Sequence, residues 1–198
     1  LSSSNVRDFD FSGFTGLKTL NLNNVKDLTA EQFNAISPEA RASIQTLDFT
    51  NDVDIRDFNF SGFTNLKTLN LGNARALIAE QFNAISPEAK TSIETLNLRD
   101  VDVAGFDFSG FTNLKSLNLE EARGLTAEQF NKIPVTAKAS IESLDLSYVN
   151  VTGFDFSGFT GLKILNLDNV KGLTAMQFNT IPVTAKASIE SLDLSYVN

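Results

Sequence analysis

The side chains that could do chemistry in this sequence are mainly carboxylates, because the usual bases and nucleophiles are missing. Its 198 residues include no histidine and no cysteine. The commonest general base, the commonest transition-metal ligand, thiolate chemistry and disulfides are therefore all absent. Serine occurs only in repeated contexts without a unique lysine partner, which argues against an activated nucleophile. The sequence predicts no catalytic residue and no cofactor, and the chain is not expected to be an enzyme.

Paired carboxylates are the remaining candidates for a site, since calcium binds oxygen ligands. Asp-x-Asp occurs at residues 52–54 and 100–102. A calcium loop also needs a glycine-containing turn and a glutamate at its twelfth position, and neither follows these pairs. The equivalent segment in a later repeat, residues 148–150, reads Tyr-Val-Asn. We therefore interpret the pairs as solvated turns and predict no metal site.

Composition also limits the classes of partner. The net charge is −8 and the isoelectric point is near 4.5. Nucleic-acid binding needs a clustered basic face, so no nucleic-acid partner is expected. No apolar run approaches the roughly 20 residues that a membrane-spanning helix requires. The chain begins at Leu1 without methionine and without a visible signal peptide, so we expect a processed or excerpted chain.

One hexamer, apolar-x-x-apolar-x-apolar, defines the elements that must position these side chains. Its first copy reads LKTLNL, and its eight copies start at Leu17, Ile44, Leu66, Ile93, Leu114, Ile141, Leu162 and Ile189. The spacing alternates between 27 residues and 21 or 22 residues. The repeating unit is therefore a pair of unlike repeats, about 48 residues long. A long connection follows each Leu-first copy and a short connection follows each Ile-first copy.

This pattern resembles the leucine-rich repeat family, in which each hexamer is one strand of a parallel sheet that lines a solenoid. The resemblance implies an α/β fold with one parallel concave sheet of about eight strands. It places helices on the convex side of the long repeats and short strands or turns on that of the short repeats. Residues 1–198 are expected to form a single solenoid of four double repeats, uncapped at both ends.

The long repeat is similar to a subclass that carries cysteine at its ninth position. Val25, Ala74, Ala122 and Val170 stand there instead. A small buried side chain is all that this position requires, so the change should not alter the fold.

The long connections predict two short helices each. Thr29 followed by Gln32 is typical of a capping box and predicts a helix start. A Ser-Pro pair begins a second short helical segment at residues 37–42. The second unit has Ile78 where the other three have threonine.

The short connections and the phenylalanine columns predict the convex side of the short repeats and the residues that fill the core. Each short connection contains Phe-x-Phe, which predicts a short convex strand, followed by Ser-Gly, which predicts a tight turn. Sixteen of the 17 phenylalanines form four columns at repeat spacing, and Phe49 replaces a strand leucine. Such columns are typical of a core. Phe108 in particular should be buried between Phe60 and Phe156.

On the strands, positions one, four and six of the hexamer are predicted to face the core. Positions two, three, five and seven are predicted to be exposed. Position two alternates Lys with Gln or Glu, and position five is always Asn or Asp. Unlike charges on neighbouring strands attract weakly, so these columns are interpreted as mainly structural.

Differences between copies concentrate just after the strands. The candidate partner-binding residues there are Arg99, Glu120, Glu121, Tyr148, Asp168 and Tyr196. Both tyrosines of the chain occupy one repeated position, and tyrosine is a favoured interface residue. The alternative is free drift on a solvated rim, and the sequence leaves both readings open.

Three functions remain open at this stage. The first is a non-enzymatic scaffold whose concave surface binds a protein or a glycan. The second is a structural segment that binds other copies of itself head to tail, since no polar cap is visible at either end. The third is an engineered array without a natural ligand, because residues 133–150 and 181–198 are identical. The absence of cysteine caps, and of cysteine altogether, favours a bacterial protein over an animal extracellular receptor. We expect an extracellular or cell-surface location in a bacterium.

Overall fold

The computed structural model describes residues 6, 8–51, 53–74 and 76–197. The start of the chain at Leu1, the first carboxylate of the first Asp-x-Asp pair (Asp52) and Asn198 lie outside them. Within the described residues, eight strands form one parallel sheet in sequence order. They are β1 (Thr19–Asn21), β2 (Thr46–Asp48), β3 (Thr68–Asn70), β4 (Thr95–Asn97), β5 (Ser116–Asn118), β6 (Ser143–Asp145), β7 (Ile164–Asn166) and β8 (Ser191–Asp193).

Each strand pairs with the next at equivalent hexamer positions. Leu20 lies opposite Leu47, and the same correspondence holds for all seven pairings. Equivalent residues therefore form columns across the sheet. The central leucine of each interior strand is buried, as at Leu47 and Leu96. Its two strand neighbours are half-buried, except for Ile164 of β7, which is 47% exposed. The parallel sheet expected from the hexamers is confirmed.

Each long connection forms two short helices. The side-chain caps expected from the sequence form at five of the eight helix starts, and α3, α6 and α8 begin without one. They are α1 (Ala30–Asn34), α2 (Pro38–Ser43), α3 (Ala79–Asn83), α4 (Pro87–Ser92), α5 (Ala127–Asn131), α6 (Val135–Ser140), α7 (Ala175–Asn179) and α8 (Val183–Ser188). Before α1, the Gln32 backbone N–H donates to Thr29 Oγ1 at 3.2 Å, and the Thr29 backbone N–H donates to Gln32 Oε1 at 3.1 Å. These bonds satisfy donors that a helix start would otherwise leave unpaired.

Two side-chain amides of α3 join this helix to the short connections on both sides. Gln81 Nε2 donates to the carbonyl of Ile55 at 2.8 Å, in the preceding short connection. Asn83 Nδ2 donates to the carbonyl of Gly105 at 3.1 Å, and Asn83 Oδ1 accepts from the N–H of Asp107 at 2.8 Å, both in the following one. The same Gln and Asn bonds recur around α1 and α5.

The short connections are built from turns, and the short convex strands expected there do not form. Within the described residues, the Phe-x-Phe segments at 58–60, 106–108 and 154–156 contain no strand. The reason is that successive coils alternate, so the neighbours of each short connection are helices. The amide groups of those helices, rather than a partner strand, take the backbone hydrogen bonds.

The phenylalanine columns fill the space between the sheet and the convex side. Phe108 is 1% exposed, and its equivalents Phe60 and Phe156 are 3% and 0% exposed, which confirms the prediction. In the third unit the ring of Phe130 stacks on that of Phe154 with centroids 4.2 Å apart.

At both ends of the described stack the columns are partly uncovered. Phe9 is 57% exposed and Phe14 is 49% exposed in the first short connection, while Leu192 and Leu194 of the last hexamer are 43% and 41% exposed. Each coil of a solenoid is covered only by its neighbours, so the outermost described coils have one open face.

The ninth position of the long repeat is buried or half-buried, as expected for a small apolar side chain. Ala74 is 7%, Ala122 8% and Val170 0% exposed, and Val25 packs half-buried against the core. The expected burial of small apolar side chains at this position is confirmed at Ala74, Ala122 and Val170.

A column of buried cations lies along the second helices, and the sequence reading had not singled it out. Arg41 is 7%, Lys90 8% and Lys138 5% exposed. Glycine of the Ser-Gly turn packs against the stem of this side chain: a Cβ on Gly158 would lie 2.9 Å from Lys138 Cδ. The turn therefore needs glycine here for close approach, beyond the flexibility that Ser-Gly suggests.

Replacing Ile78 by Thr should stabilise the chain by about 0.5–2 kcal/mol. Ile78 precedes α3, supplies no side-chain acceptor to the helix and is 51% exposed, so little packing is lost. Thermal unfolding of Ile78→Thr should show a raised midpoint, and Thr126→Ile should lower it by a similar amount. A lower midpoint for Ile78→Thr would mean that this side chain contributes more by packing than a cap would.

Candidate binding surface

We call the solvent-exposed face of the sheet, opposite the helices, the concave face. The edge where its strands begin carries the alternating charges of position two. Glu94 Oε2 lies 2.7 Å from Lys115 Nζ, and Glu94 Oε1 lies 3.3 Å from Lys67 Nζ. Hydrogen bonding to Lys115 and then to Lys67 lowers the pKa of Glu94. The attraction between neighbouring strands that the sequence predicts is confirmed, and it neutralises much of this edge.

Position five of the hexamer shapes the turn that follows each strand. Asn97 Oδ1 accepts from the backbone N–H of Arg99 at 2.9 Å, and Asn118 Oδ1 accepts from that of Glu120 at 2.8 Å. Similar bonds are made by the Asn or Asp of five other copies. In these seven copies one side-chain oxygen is committed to the backbone of the turn, whereas Asn70 Oδ1 is buried without a partner, so the column is mainly structural.

The two residues after each hexamer form what we call the turn row, and all six candidate residues lie in it. Arg99, Glu120 and Asp168 occupy its first position, and Glu121, Tyr148 and Tyr196 occupy its second. The first position is not uniformly exposed, contrary to expectation. Ser147 is 2% exposed there, and its hydroxyl donates to Asp145 Oδ1 at 2.6 Å.

The second position of the turn row has a positive φ in all eight copies. The values lie between 52° and 65°, at Asn24, Asn51, Asn73, Asp100, Glu121, Tyr148, Asn169 and Tyr196. Asn and Asp tolerate this left-handed backbone, whereas a large side chain such as tyrosine does so rarely. The sequence signal for this constraint is the Asn that occupies the position in four of the eight copies.

Five of the six candidate residues are brought together on consecutive coils. Arg99 Nη2 lies 3.3 Å from Glu120 Oε1. The N–H of Tyr148 donates to the carbonyl of Asp168 at 2.9 Å, and the negative charge of the Asp168 carboxylate raises the pKa of the Tyr148 phenol, with burial adding to the effect. Glu121 lies close enough to add to this effect.

The sixth candidate, Tyr196, lies two strands beyond Tyr148 at the same position. Its side chain is 80% exposed, against 49% for Tyr148. The two aromatic rings therefore mark one row, separated by about 10 Å at the strand spacing of a sheet.

Burial raises the pKa of the Glu120 carboxyl, and the like charges of Asp145 and Glu121 act in the same direction. Arg99 opposes this shift.

Of the described Asp-x-Asp residues, Asp100 lies in a turn as expected, whereas Asp54 and Asp102 each lie in an isolated β-bridge. Asp54 pairs with Arg56 and Asp100 with Arg123, each at 2.7 Å. Asp102 Oδ1 accepts from the N–H two residues later, at 3.1 Å. In the part of the chain that the structure describes, no three acidic side chains come close enough to hold a metal ion. No helix of those residues is long and apolar enough to cross a membrane.

Solved structures provide the comparison that decides the fold. An internalin from Listeria monocytogenes matches 95% of this chain with a TM-score of 0.66 at 16% sequence identity. A leucine-rich repeat protein of Leptospira interrogans matches 93% with a TM-score of 0.55 at 16% identity. The functional domain of InlJ from Listeria monocytogenes, which includes a cysteine ladder, matches 95% with a TM-score of 0.53 at 15% identity.

The chain has the leucine-rich repeat fold. Its length corresponds to 50%, 45% and 46% of the three solved chains, so it spans about half of each. The sequence matches no protein-family model and no curated protein. Identity this low establishes the shared leucine-rich repeat fold alone, and the partner has to be argued from the residues of this chain.

Replacing Tyr148 by Asn should stabilise this leucine-rich repeat solenoid by about 1 kcal/mol, because Asn is favoured at a left-handed position. The φ of Tyr148 is 64°, and Asn occupies the same position in four other copies. Urea unfolding of Tyr148→Asn should show a higher midpoint, whereas Tyr148→Ala, which removes the ring without favouring this φ, should not. A gain for Ala equal to that for Asn would assign the effect to the ring instead of the backbone.

Proposed function

We propose that the chain is a non-enzymatic binding scaffold that recognises a protein through its concave face and the adjoining turn row. The observation that carries this proposal is the clustering of Arg99, Glu120, Glu121, Tyr148 and Asp168 on consecutive coils. Tyrosine and arginine are enriched among the residues that dominate binding energy. The absence of histidine and cysteine supports the non-enzymatic part.

The backbone conformation of Tyr148 gives further support. Asn would suit its positive φ better, so a tyrosine there works against stability. Selection for a binding surface explains why both tyrosines of the chain stand at such a position.

The test is a random peptide library, displayed on phage and selected on the immobilised chain, followed by two matched variants. Thr95→Arg with Ser116→Arg places two bulky charges on the concave face, in β4 and β5. Thr91→Arg with Thr136→Arg places the same charges on exposed positions of α4 and α6. We expect most selected peptides to lose binding to the concave variant and to keep binding to the helical variant.

A third variant, Tyr148→Ala with Glu120→Gln, should abolish the binding of those peptides while thermal unfolding shows an intact fold. Selected peptides that tolerate every concave change and are lost only on the helical variant would move the site to the convex side. A glycan array probed with the same variants covers the glycan alternative.

Head-to-tail stacking, the second function that the sequence allows, stays a prediction. Light scattering over a range of protein concentrations tests it, with Leu192→Lys as the variant that should reduce any assembly. A monomer of constant mass at all concentrations would contradict stacking.

A further inference from the structure

The two edges of the concave face differ in charge. Along the edge where strands begin, position two alternates lysine and glutamate, and these residues pair across strands, as Glu142 Oε2 does with Lys163 Nζ at 2.7 Å. Along the edge where strands end, positions five, seven and eight of copies four to eight hold six carboxylates and one cation. They are Asp100, Glu120, Glu121, Asp145, Asp168 and Asp193, with Arg99. The first three copies contribute only Asp48 to that edge.

Part of this charge is already neutralised inside the chain, and part is not. Asp100 pairs with Arg123 and Glu120 pairs with Arg99. The other carboxylates, Glu121, Asp145, Asp168 and Asp193, make no ion pair within the described residues. Both carboxylate oxygens of Asp145 accept hydrogen bonds, and Asp168 Oδ1 is buried. Glu121 and Asp193 are exposed, so this side of copies four to eight, which we call the acidic edge, remains open to an external positive charge.

The spacing of the carboxylates along the acidic edge suits an extended peptide better than a single metal ion. The carboxylates stand on successive strands, about 4.8 Å apart, so five strands extend over about 19 Å. No three acidic groups of the described structure approach closely enough to share a metal ion. An extended peptide of six or seven residues covers the same distance.

Aromatic rings stand among these carboxylates. Tyr148 and Tyr196 are 49% and 80% exposed, and the phenol of Tyr148 adjoins the carboxylate of Asp168. The face of a tyrosine ring attracts a cation, and its edges cover the aliphatic stem of a lysine or arginine. A carboxylate and a tyrosine ring that lie side by side in the turn row therefore complement a lysine or arginine side chain.

We propose that the acidic edge binds a protein segment rich in lysine or arginine. Its cations meet Glu121, Asp168 and Asp193, and their aliphatic stems lie on Tyr148 and Tyr196. This inference rests on the proposed function, because it assigns a partner chemistry to the same binding surface. It predicts affinity that falls with salt, since exposed charge pairs are screened.

The test uses a fluorescein-labelled peptide of seven Lys-Ser repeats, with a Glu-Ser peptide of equal length as reference, measured by fluorescence anisotropy at low salt. The edge variant is Glu121→Gln with Asp168→Asn and Asp193→Asn. The matched control is Glu94→Gln with Glu142→Gln and Glu190→Gln, which removes the same three charges from the opposite edge of the sheet. Thermal unfolding verifies the fold of both triple variants.

We expect the Lys-Ser peptide to bind the native chain and the Glu-Ser peptide not to bind. The edge variant should raise the Kd of the Lys-Ser peptide about tenfold, and the control should change it less than twofold. Equal effects of the two triple variants would reduce the attraction to net charge and overturn the proposal, as would the absence of Lys-Ser binding.

The phage-selected peptides separate this failure from failure of the proposed function. Selected peptides that bind the concave face, lack positive charge and tolerate the edge variant would overturn the acidic edge as the docking site while leaving the scaffold function in place. Selected peptides that bind only the convex side would overturn the scaffold proposal itself.

Discussion

Replacing Phe130 by Ala should lower the free energy of unfolding by about 3–5 kcal/mol, among the largest effects of any single change in this chain. The Phe130 ring is completely buried. Its centroid lies 4.2 Å from that of Phe154, 5.8 Å from that of Phe156 and 5.5 Å from that of Phe159. Removing it opens a cavity at the centre of three rings that come from the neighbouring short connection, so coil-to-coil packing is lost together with the buried area.

The matched control is Phe178→Ala, at the same position in the last unit. Phe178 is only half-buried, so its loss should have a clearly smaller effect. Urea unfolding followed by circular dichroism measures both. Because solenoid stability is close to a sum of nearest-neighbour terms, Phe130→Ala should also broaden the transition or split it in two. Equal losses for Phe130→Ala and Phe178→Ala would contradict the burial on which this prediction depends.

Replacing Arg41 by Met should lower the free energy of unfolding by about 3 kcal/mol, because it leaves buried carbonyls unpaired. The guanidinium donates to five carbonyls, those of Phe33, Asn34, Ile36, Asn59 and Ser61, at 2.7–3.2 Å. It thereby joins the C-terminal end of α1 to the next short connection. Methionine keeps the length and apolar stem of the side chain, so the loss reports on the guanidinium.

Two further variants show how much of the loss in Arg41→Met is due to the guanidinium hydrogen bonds. Arg41→Lys should lose less, because Lys90 serves the same position with a bond from its Nζ to the Asn83 carbonyl at 3.3 Å. Lys186→Met should lose little, because Lys186 is exposed and its bond to the Asn179 carbonyl is 3.4 Å long. Chemical unfolding of all three variants measures their losses in free energy of unfolding and ranks them. An Arg41→Met midpoint equal to that of Lys186→Met would show that the carbonyl network contributes nothing measurable.

Local patterns in the sequence determined the sheet, its register and the helix starts. A hexamer with apolar positions one, four and six recurs eight times, and each copy becomes one strand of the parallel sheet. Thr29 and Ser37 mark helix starts because a cap is satisfied by bonds within four residues. The burial of Phe108 was equally readable, since a bulky apolar residue at strict repeat spacing has no other environment in a stacked array.

The sequence identified the candidate residues, but it did not predict which of them contact one another. Variation between copies at the positions after the strands singled out Arg99, Glu120 and Tyr148, because structural positions keep one residue type and these positions do not. The Arg99–Glu120 ion pair and the proximity of Tyr148 to Asp168 join coils 21 residues apart in the chain. Only stacking of the coils brings such residues together.

Tertiary structure alone decided the remaining features, for the physical reason that each depends on what lies on the adjacent coil. Phe-x-Phe has strand periodicity, yet no strand forms because helices flank it. The side-chain amides of those helices bond its backbone instead, as Gln81 does at the Phe58 carbonyl and Asn83 at the Asp107 N–H. A charged residue on a short helix, such as Arg41, is expected to lie on the surface. It is buried because carbonyls of two neighbouring coils accept hydrogen bonds from its guanidinium. Sequence patterns therefore specify the single coil, whereas stacking of unlike coils decides which polar groups are buried and which remain open to a partner.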